Sequence, residues 1–235
     1  MYDQSLFFQT LSRFVVILPT RYDLQDTLSE LTESVTAVLG LSGGWVTMAD
    51  EEGLRLMAGV SQAAAELERD HELLHPFSCP CRDAYATGEV VAVADVRQES
   101  DRWPQFAASA TRLSMAGVAA IPMRLADQVI GALNLYSAQA RQWSDEDLAV
   151  AGVLADMATS YLVNASKLRQ QEQLSEQLQE ALESRIIIEQ AKGITAQQNS
   201  VTIDQAYQLM RAHARNHNAR LRVVAEAIVS VGLKV

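Results

Sequence analysis

Residues 116–136 read AGVAAIPMRLADQVIGALNLY, and their pattern decides the fold of most of the chain. Two β-rich runs, 116–125 and 129–136, flank Ala126-Asp127-Gln128, which is the composition of a β-hairpin. A second hairpin is expected upstream, where 45–48 and 54–60 flank Asp50-Glu51-Glu52-Gly53. The run Val90-Val91-Ala92-Val93 adds a brief strand. Helices precede these strands. Leu6, Phe7, Leu11, Phe14 and Leu18 recur at helical spacing until Pro19 breaks the run. Asp23 can cap a second helix, whose stripe passes through Leu24, Thr27, Leu28, Leu31, Val35 and Val38 before Gly40 ends it. A short helix is expected near 63–74. Helices beside a sheet made of hairpins define an α+β domain in which antiparallel pairing dominates.

Downstream, Ser144 starts a helix, with Asp145, Glu146 and Asp147 placed at its positive end. Neither Pro nor Gly interrupts 153–190, which predicts one continuous helix running from the first domain into the tail. Leu168, Leu174, Leu178 and Leu182 give it a thin apolar seam, suited to a parallel coiled-coil dimer or to a plain helical spacer. Two more helices complete the tail. Thr202 and Gln205 fit a capping box, and Ile203, Ala206, Tyr207, Met210 and Ala214 line one face. Asn216-His217-Asn218 makes the turn, with Asn218 as the next cap, and Leu221, Val224, Ala225 and Ile228 form the last stripe. The expected division is a larger α+β domain at 1–165, a helical linker at 166–183 and a three-helix bundle at 184–235.

Composition narrows the class. The chain is 49% apolar and 20% charged, which suits a folded core and not disorder. No run of apolar sequence looks long enough for a membrane span, and Asp3 without a basic leader argues against a signal peptide. Cys79 and Cys81 are too few and too close for a secreted disulfide framework. A soluble, cytoplasmic protein is expected. The net charge of −10 is unevenly spread: seven basic and three acidic residues give 184–235 a charge of +4, leaving −14 on 1–183. A basic tail on an acidic body is the asymmetry of a chain whose one end meets a polyanion.

The tail cations are also placed in rows. Gln208, Arg211 and Arg215 share the polar side of one helix, and Arg185, Glu189 and Lys192 share that of another. Arg220 and Arg222 fall at the start of the last helix, where cations oppose the helix dipole and an approaching phosphate would compensate them. Gly193 costs about 1 kcal/mol relative to alanine inside a helix. With Ala191 it leaves a small patch beside Lys192 that a base or sugar could approach. Tyr207 could stack on a base, but it shares a stripe with Ile203 and Met210, which favours packing in the core. His213 and His217 lie one turn apart with no third metal ligand near them.

Rival chemistry sits in the middle of the chain. His71-Glu72-Leu73-Leu74-His75 matches H-E-x-x-H, but Pro76 follows at once and no third ligand is suitably spaced, so neither a catalytic residue nor an enzyme is expected. His71, His75, Cys79 and Cys81 together offer four N/S ligands within eleven residues, which leaves a metal-binding or redox-sensing role as an alternative to plain packing.

Three blocks of the tail resemble the ANTAR family. They are Ser184-Arg185-Ile186-Ile187-Ile188-Glu189-Gln190-Ala191-Lys192-Gly193-Ile194, then Asp204-Gln205-Ala206-Tyr207-Gln208-Leu209-Met210-Arg211, then 218–228 from Asn218 through Arg220, Arg222 and Ala225 to Ile228. The resemblance implies a three-helix RNA-binding module that acts as a dimer on hairpins in leader transcripts and promotes antitermination. On it, Arg185, Lys192, Arg211, Arg215, Arg220 and Arg222 are expected to contact RNA, with Ala191 and Gly193 as close-approach positions. Ile194-Thr195-Ala196 departs from the bulky apolar pair usual after the glycine. The body resembles a GAF domain in Pro80-Cys81-Arg82-Asp83-Ala84, in 87–95, and in 129–136 followed by Trp143-Ser144-Asp145. That implies a sensor of an unidentified small molecule; no cofactor is named by it. Cys81 falls where the family carries a cysteine. A DNA-binding helix-turn-helix use of the tail is the competing regulator.

Overall fold

The structure is a computed structural model that describes residues 2–20, 22–50, 53–59, 66–67 and 78–235. It divides into two compact units, Met1–Ser166 and Lys167–Val235.

The first unit opens with α1 (Gln4–Ile17) and α2 (Leu24–Leu39). Asp3 and Asp23 cap them by accepting the N–H groups of Leu6 and Asp26, and Gly40 ends α2 in the left-handed conformation, φ +61°. Strands β1 (Gly43–Asp50) and β2 (Gly53–Gly59) form the expected upstream hairpin; Glu51 and Glu52 at its tip lie outside the described residues. Of the short helix expected near 63–74, only Glu66 and Leu67 are described, and both are helical. Next come α3 (Pro80–Thr87), β3 (Val91–Val93), a 3-10 turn (Val96–Gln98) and α4 (Pro104–Arg112). Strands β4 (Gly117–Leu125) and β5 (Gln128–Ser137) pair across the turn read from the sequence. The sheet order is β2-β1-β5-β4-β3, with every neighbouring pair antiparallel. Gly131 lets β5 meet β1, because a Cβ there would lie 2.1 Å from the Thr47 carbonyl oxygen.

Alternation along the strands sends side chains to two cores. Ala119, Ile121, Met123, Leu133 and Leu135 face Phe14, Leu28, Leu31, Val35 and the first turns of α5 (Asp145–Asn199). Val118, Ala120, Ala132 and Tyr136 face Trp103, Phe106, Cys79, Cys81 and Ala84 from α3, α4 and their flanks. On this second side Asn134 and Thr47 are buried, and the Asn134 amide donates to the Thr47 hydroxyl at 3.2 Å.

α5 begins as expected, with the Ser144 hydroxyl accepting the Asp147 N–H at 3.1 Å. Its first turns pack Val150, Ala151, Leu154, Ala155, Ala158 and Tyr161 into the core. Arg141 ties this start to α2, donating to the Asp147 carboxylate and the Leu39 carbonyl oxygen, each at 2.8 Å. Burial pushes the Tyr161 hydroxyl up to about 12. That hydroxyl donates to the Phe14 carbonyl.

The expectation that no run could span a membrane needs correction. α5 contains an 18-residue window of mean hydropathy 1.4, so by length and composition alone it would suffice. In this chain 44% of that window is buried inside the protein, as the core-facing residues of the first turns require.

The second unit holds the rest of α5, which runs unbroken through Gly193, with α6 (Ile203–Asn216) and α7 (Leu221–Val231). Its core is small: Ala191, Met210, Ala214, Val224, Ala225 and Ile228, with Ile187, Ile188, Ile194 and Leu221 partly buried against them. The Thr202–Gln205 capping box is present in both directions.

Candidate nucleic-acid interface

The turn between α6 and α7 fixes the basic residues. His217 ends α6, and Asn218 follows in the left-handed conformation, φ +48°. The Ala219 N–H reaches back to Ala214 O at 2.8 Å and the Asn218 N–H to Arg215 O at 3.2 Å, a Schellman closure. Asn218, expected as the cap of the last helix, therefore closes α6 instead and does not cap α7. Arg220 occupies the N-cap of α7, with no side-chain cap hydrogen bond. This geometry sets Arg211, Arg215 and Arg220 around one hollow, whose lining includes the small residues Ala214 and Ala219. All three arginines are exposed. Among the described residues the guanidinium groups of Arg215 and Arg220 have no hydrogen-bond or ion-pair partner, and neither does that of Arg185 on α5.

Tyr207 is a correction. It is half-buried and stands outside the small core, to which α6 contributes Met210 and Ala214. Its ring centre lies 5.4 Å from the Lys192 ammonium and 5.8 Å from the Arg211 guanidinium, so two cations use one aromatic face system. The i, i+4 spacing of Tyr207 and Arg211 was the signal for this that the stripe reading passed over.

The other expected positions divide. Lys192 is mostly covered, 16% exposed, and binds the Glu189 carboxylate at 2.9 Å. Arg222 is held by Glu226 at 2.8 Å and lies 3.9 Å from Glu183; the hydrogen bond to Glu226 pushes its pKa further up. Its charge is answered within the chain. Gly193 is exposed, and a Cβ there would meet nothing within 4 Å, so no internal packing calls for glycine. Ala191, expected as a close-approach position, is fully buried beside Met210 and Val224. The helical turn that exposes Gly193 points Ala191, two residues earlier, into the core.

His213 and His217 stack with ring centres 4.1 Å apart, and among the described residues no three metal-ligating side chains gather. His71 and His75 lie outside the described residues. Cys79 and Cys81 are bonded to each other as a disulfide, so in this state neither sulfur is a thiolate ligand.

A family model for the GAF domain matches residues 22–163. The chain belongs to the GAF domain family. A second family model, for the ANTAR domain, matches residues 176–229, a span that contains all six cations discussed above. The protein is thus a GAF–ANTAR chain, and neither family model is that of an enzyme. Among solved structures, the fold of the GAF unit is similar to that of the free methionine-R-sulfoxide reductase from Neisseria meningitidis (TM-score 0.53, 18% identity, 72% of this chain and 95% of that one). It is equally similar to the phycocyanobilin-bound GAF domain of a cyanobacterial phytochrome (0.53, 14% identity, 69% and 96%). The GAF domain of a phosphoenolpyruvate-protein phosphotransferase from Coxiella burnetii gives 0.53 at 13% identity, over 71% and 98%. At these identities the likeness is one of fold. No curated protein sequence matches the chain.

Proposed function

We propose that the ANTAR unit binds RNA hairpins in leader transcripts, as a homodimer, and so promotes transcription antitermination under the control of a small-molecule effector of the GAF unit. One observation carries the reading: Arg211, Arg215 and Arg220 surround a hollow at the α6–α7 turn, with Tyr207 between two cations on the flank of α6. A hairpin loop offers what such a surface takes, splayed bases for an aromatic face and a bent phosphate backbone for arginines. Arg185 extends the basic surface along α5, Lys192, though held by Glu189, contributes through the Tyr207 ring beside it, and the open space at Gly193 admits a sugar or base. Arg222 plays a smaller part because Glu226 already holds it. Dimerisation is supported by Leu174, Leu178 and Leu182, each more than half exposed on α5. The sensor role of the GAF unit has a parallel in a fold neighbour that is phycocyanobilin-bound.

The test is fluorescence anisotropy on the full chain, with a loop-bearing RNA hairpin and a DNA duplex at one stated salt concentration. The hairpin is expected to bind, with an affinity that falls as salt rises. Arg220→Ala and Lys192→Ala are each expected to weaken binding while leaving the circular dichroism spectrum unchanged. Unaltered affinity in both variants sinks the proposed surface, and tighter binding to duplex DNA gives the tail to the helix-turn-helix reading.

A further inference from the structure

Cys79 and Cys81 are the chain's two cysteines, and a disulfide joins them across the single residue Pro80. Three features set this bond apart from a staple that holds a fold together. Closing a ring of three residues removes little entropy from the unfolded chain, so stabilisation is its weakest use. The bond also sits at the start of α3, an eight-residue helix. Cys79 is its N-cap, with Sγ accepting the Arg82 N–H at 3.3 Å, and Cys81 lies in the first turn. The partial positive charge at that end favours a thiolate, the form that attacks in disulfide exchange and leaves most readily from it. Finally, the sulfurs are wired into the core. Cys79 and Cys81 share a cluster with Trp103 and Phe106, and Asp83, two residues beyond Cys81, accepts the Trp103 indole N–H at 3.1 Å and Arg102 at 2.8 Å. A change in the first turn of α3 is therefore felt by a fully buried indole.

We propose that Cys79 and Cys81 form a reversible dithiol–disulfide pair, a redox site of the GAF unit whose two states pack α3 differently against Trp103. Its setting rests on the RNA-binding reading, because a protein that acts on transcripts works where thiols are kept reduced and disulfides are chiefly transient. Oxidation by a peroxide balances simply. One thiolate attacks a peroxide oxygen and becomes a sulfenic acid, releasing the first water once protonated. The second thiol attacks the sulfenic sulfur, forms the S–S bond and releases the second water. Two electrons and two protons pass from the thiols to the peroxide. A dithiol reverses the step: one of its thiolates opens the bond to a mixed disulfide, its second thiol resolves that intermediate, and the reductant leaves as a disulfide.

The experiment uses the full chain under native conditions. After treatment with dithiothreitol and its removal, mass spectrometry with an alkylating reagent is expected to count two thiols, and none after stoichiometric hydrogen peroxide. Tryptophan emission should shift reversibly between the states, and Cys79→Ser or Cys81→Ser should abolish the peroxide response. A bond that yields to dithiothreitol only in denaturant overturns the proposal, as does identical emission from the two states. Hairpin affinity measured in both states separates this inference from the reading beneath it. A difference of about fivefold or more supports sensing by the pair, and equal, tight binding in both states overturns it. Thiols that cycle in a chain that binds no hairpin in either state uphold the redox site and overturn the RNA reading.

Discussion

Arginine does opposite work in the two units. In the GAF unit Arg13 meets Glu30, Arg97 meets Asp95, Arg102 meets Asp83 and Arg141 meets Asp147, so positive charge is answered by a neighbouring carboxylate. In the ANTAR unit Arg185, Arg215 and Arg220 have no such partner among the described residues, and Arg211 has the face of Tyr207. Arg222 and Lys192 are the tail cations that do find acids. The difference teaches that net charge alone is a poor guide to where a polyanion goes. An acidic chain of −10 still presents a surface whose cations are left for something outside it.

The largest effect is expected where an inward arginine is removed. Arg141→Ala leaves the Asp147 carboxylate, 3% exposed, without its cation, and should destabilise the GAF unit by about 3–5 kcal/mol in urea unfolding. A loss under 1 kcal/mol would show that this pair is as dispensable as an exposed one. Met210→Ala tests whether the small core stands by itself. Truncating this fully buried side chain should cost about 2–5 kcal/mol and lower the melting of the ANTAR unit. Tryptophan emission, confined to Trp45, Trp103 and Trp143 of the GAF unit, should then report an unchanged transition. If it moves equally, the units unfold as one.

Tyr161 sharpens the picture of the larger core. The fold keeps its hydroxyl neutral, so an unfolded chain ionises at about pH 10 while the folded one holds its proton to about 12. Stability should therefore fall as pH rises from 10 to 12. Tyr161→Phe should remove that alkaline fall, at a cost of about 0.5–1.5 kcal/mol at neutral pH for the lost hydrogen bond. An identical alkaline profile in the variant would assign the fall to another group. The smallest effect on stability belongs to an outward arginine. Arg215→Ala should change unfolding by less than about 0.5 kcal/mol, yet reduce the salt slope of hairpin binding by about 1. Loss of stability without loss of slope would invert the comparison.

Much of this was legible in the residues. The stripes of α1 and α2, the Gly40 stop, the hairpin around 126–128 and the Thr202–Gln205 box are local signals, and each appears where its chemistry puts it. The helices α3 and α4 were not foreseen. They are only eight and nine residues long, too short for a period to emerge, though Pro80 and Pro104 sit at their first turns, where proline is well tolerated. The Asn218 reading failed for a different reason. Asparagine serves both as an N-cap and as a left-handed helix stop, and only the backbone of the turn decides between them. Ala191 was misplaced because alanine carries no signal of side; the buried face of α5 is fixed by Met210 and Val224 from other helices. The Cys79–Cys81 bond was beyond reach, since a spacing of two suits a metal, a disulfide or plain packing alike.

The lone glycine in the distal part of α5 has a consequence for how this protein would respond to selection. Alanine at position 193 would meet empty space and should strengthen the helix by about 0.5–1 kcal/mol. A laboratory search rewarding heat tolerance alone would take that step early, and with it surrender whatever the gap admits. Robustness and recognition compete at this one carbon.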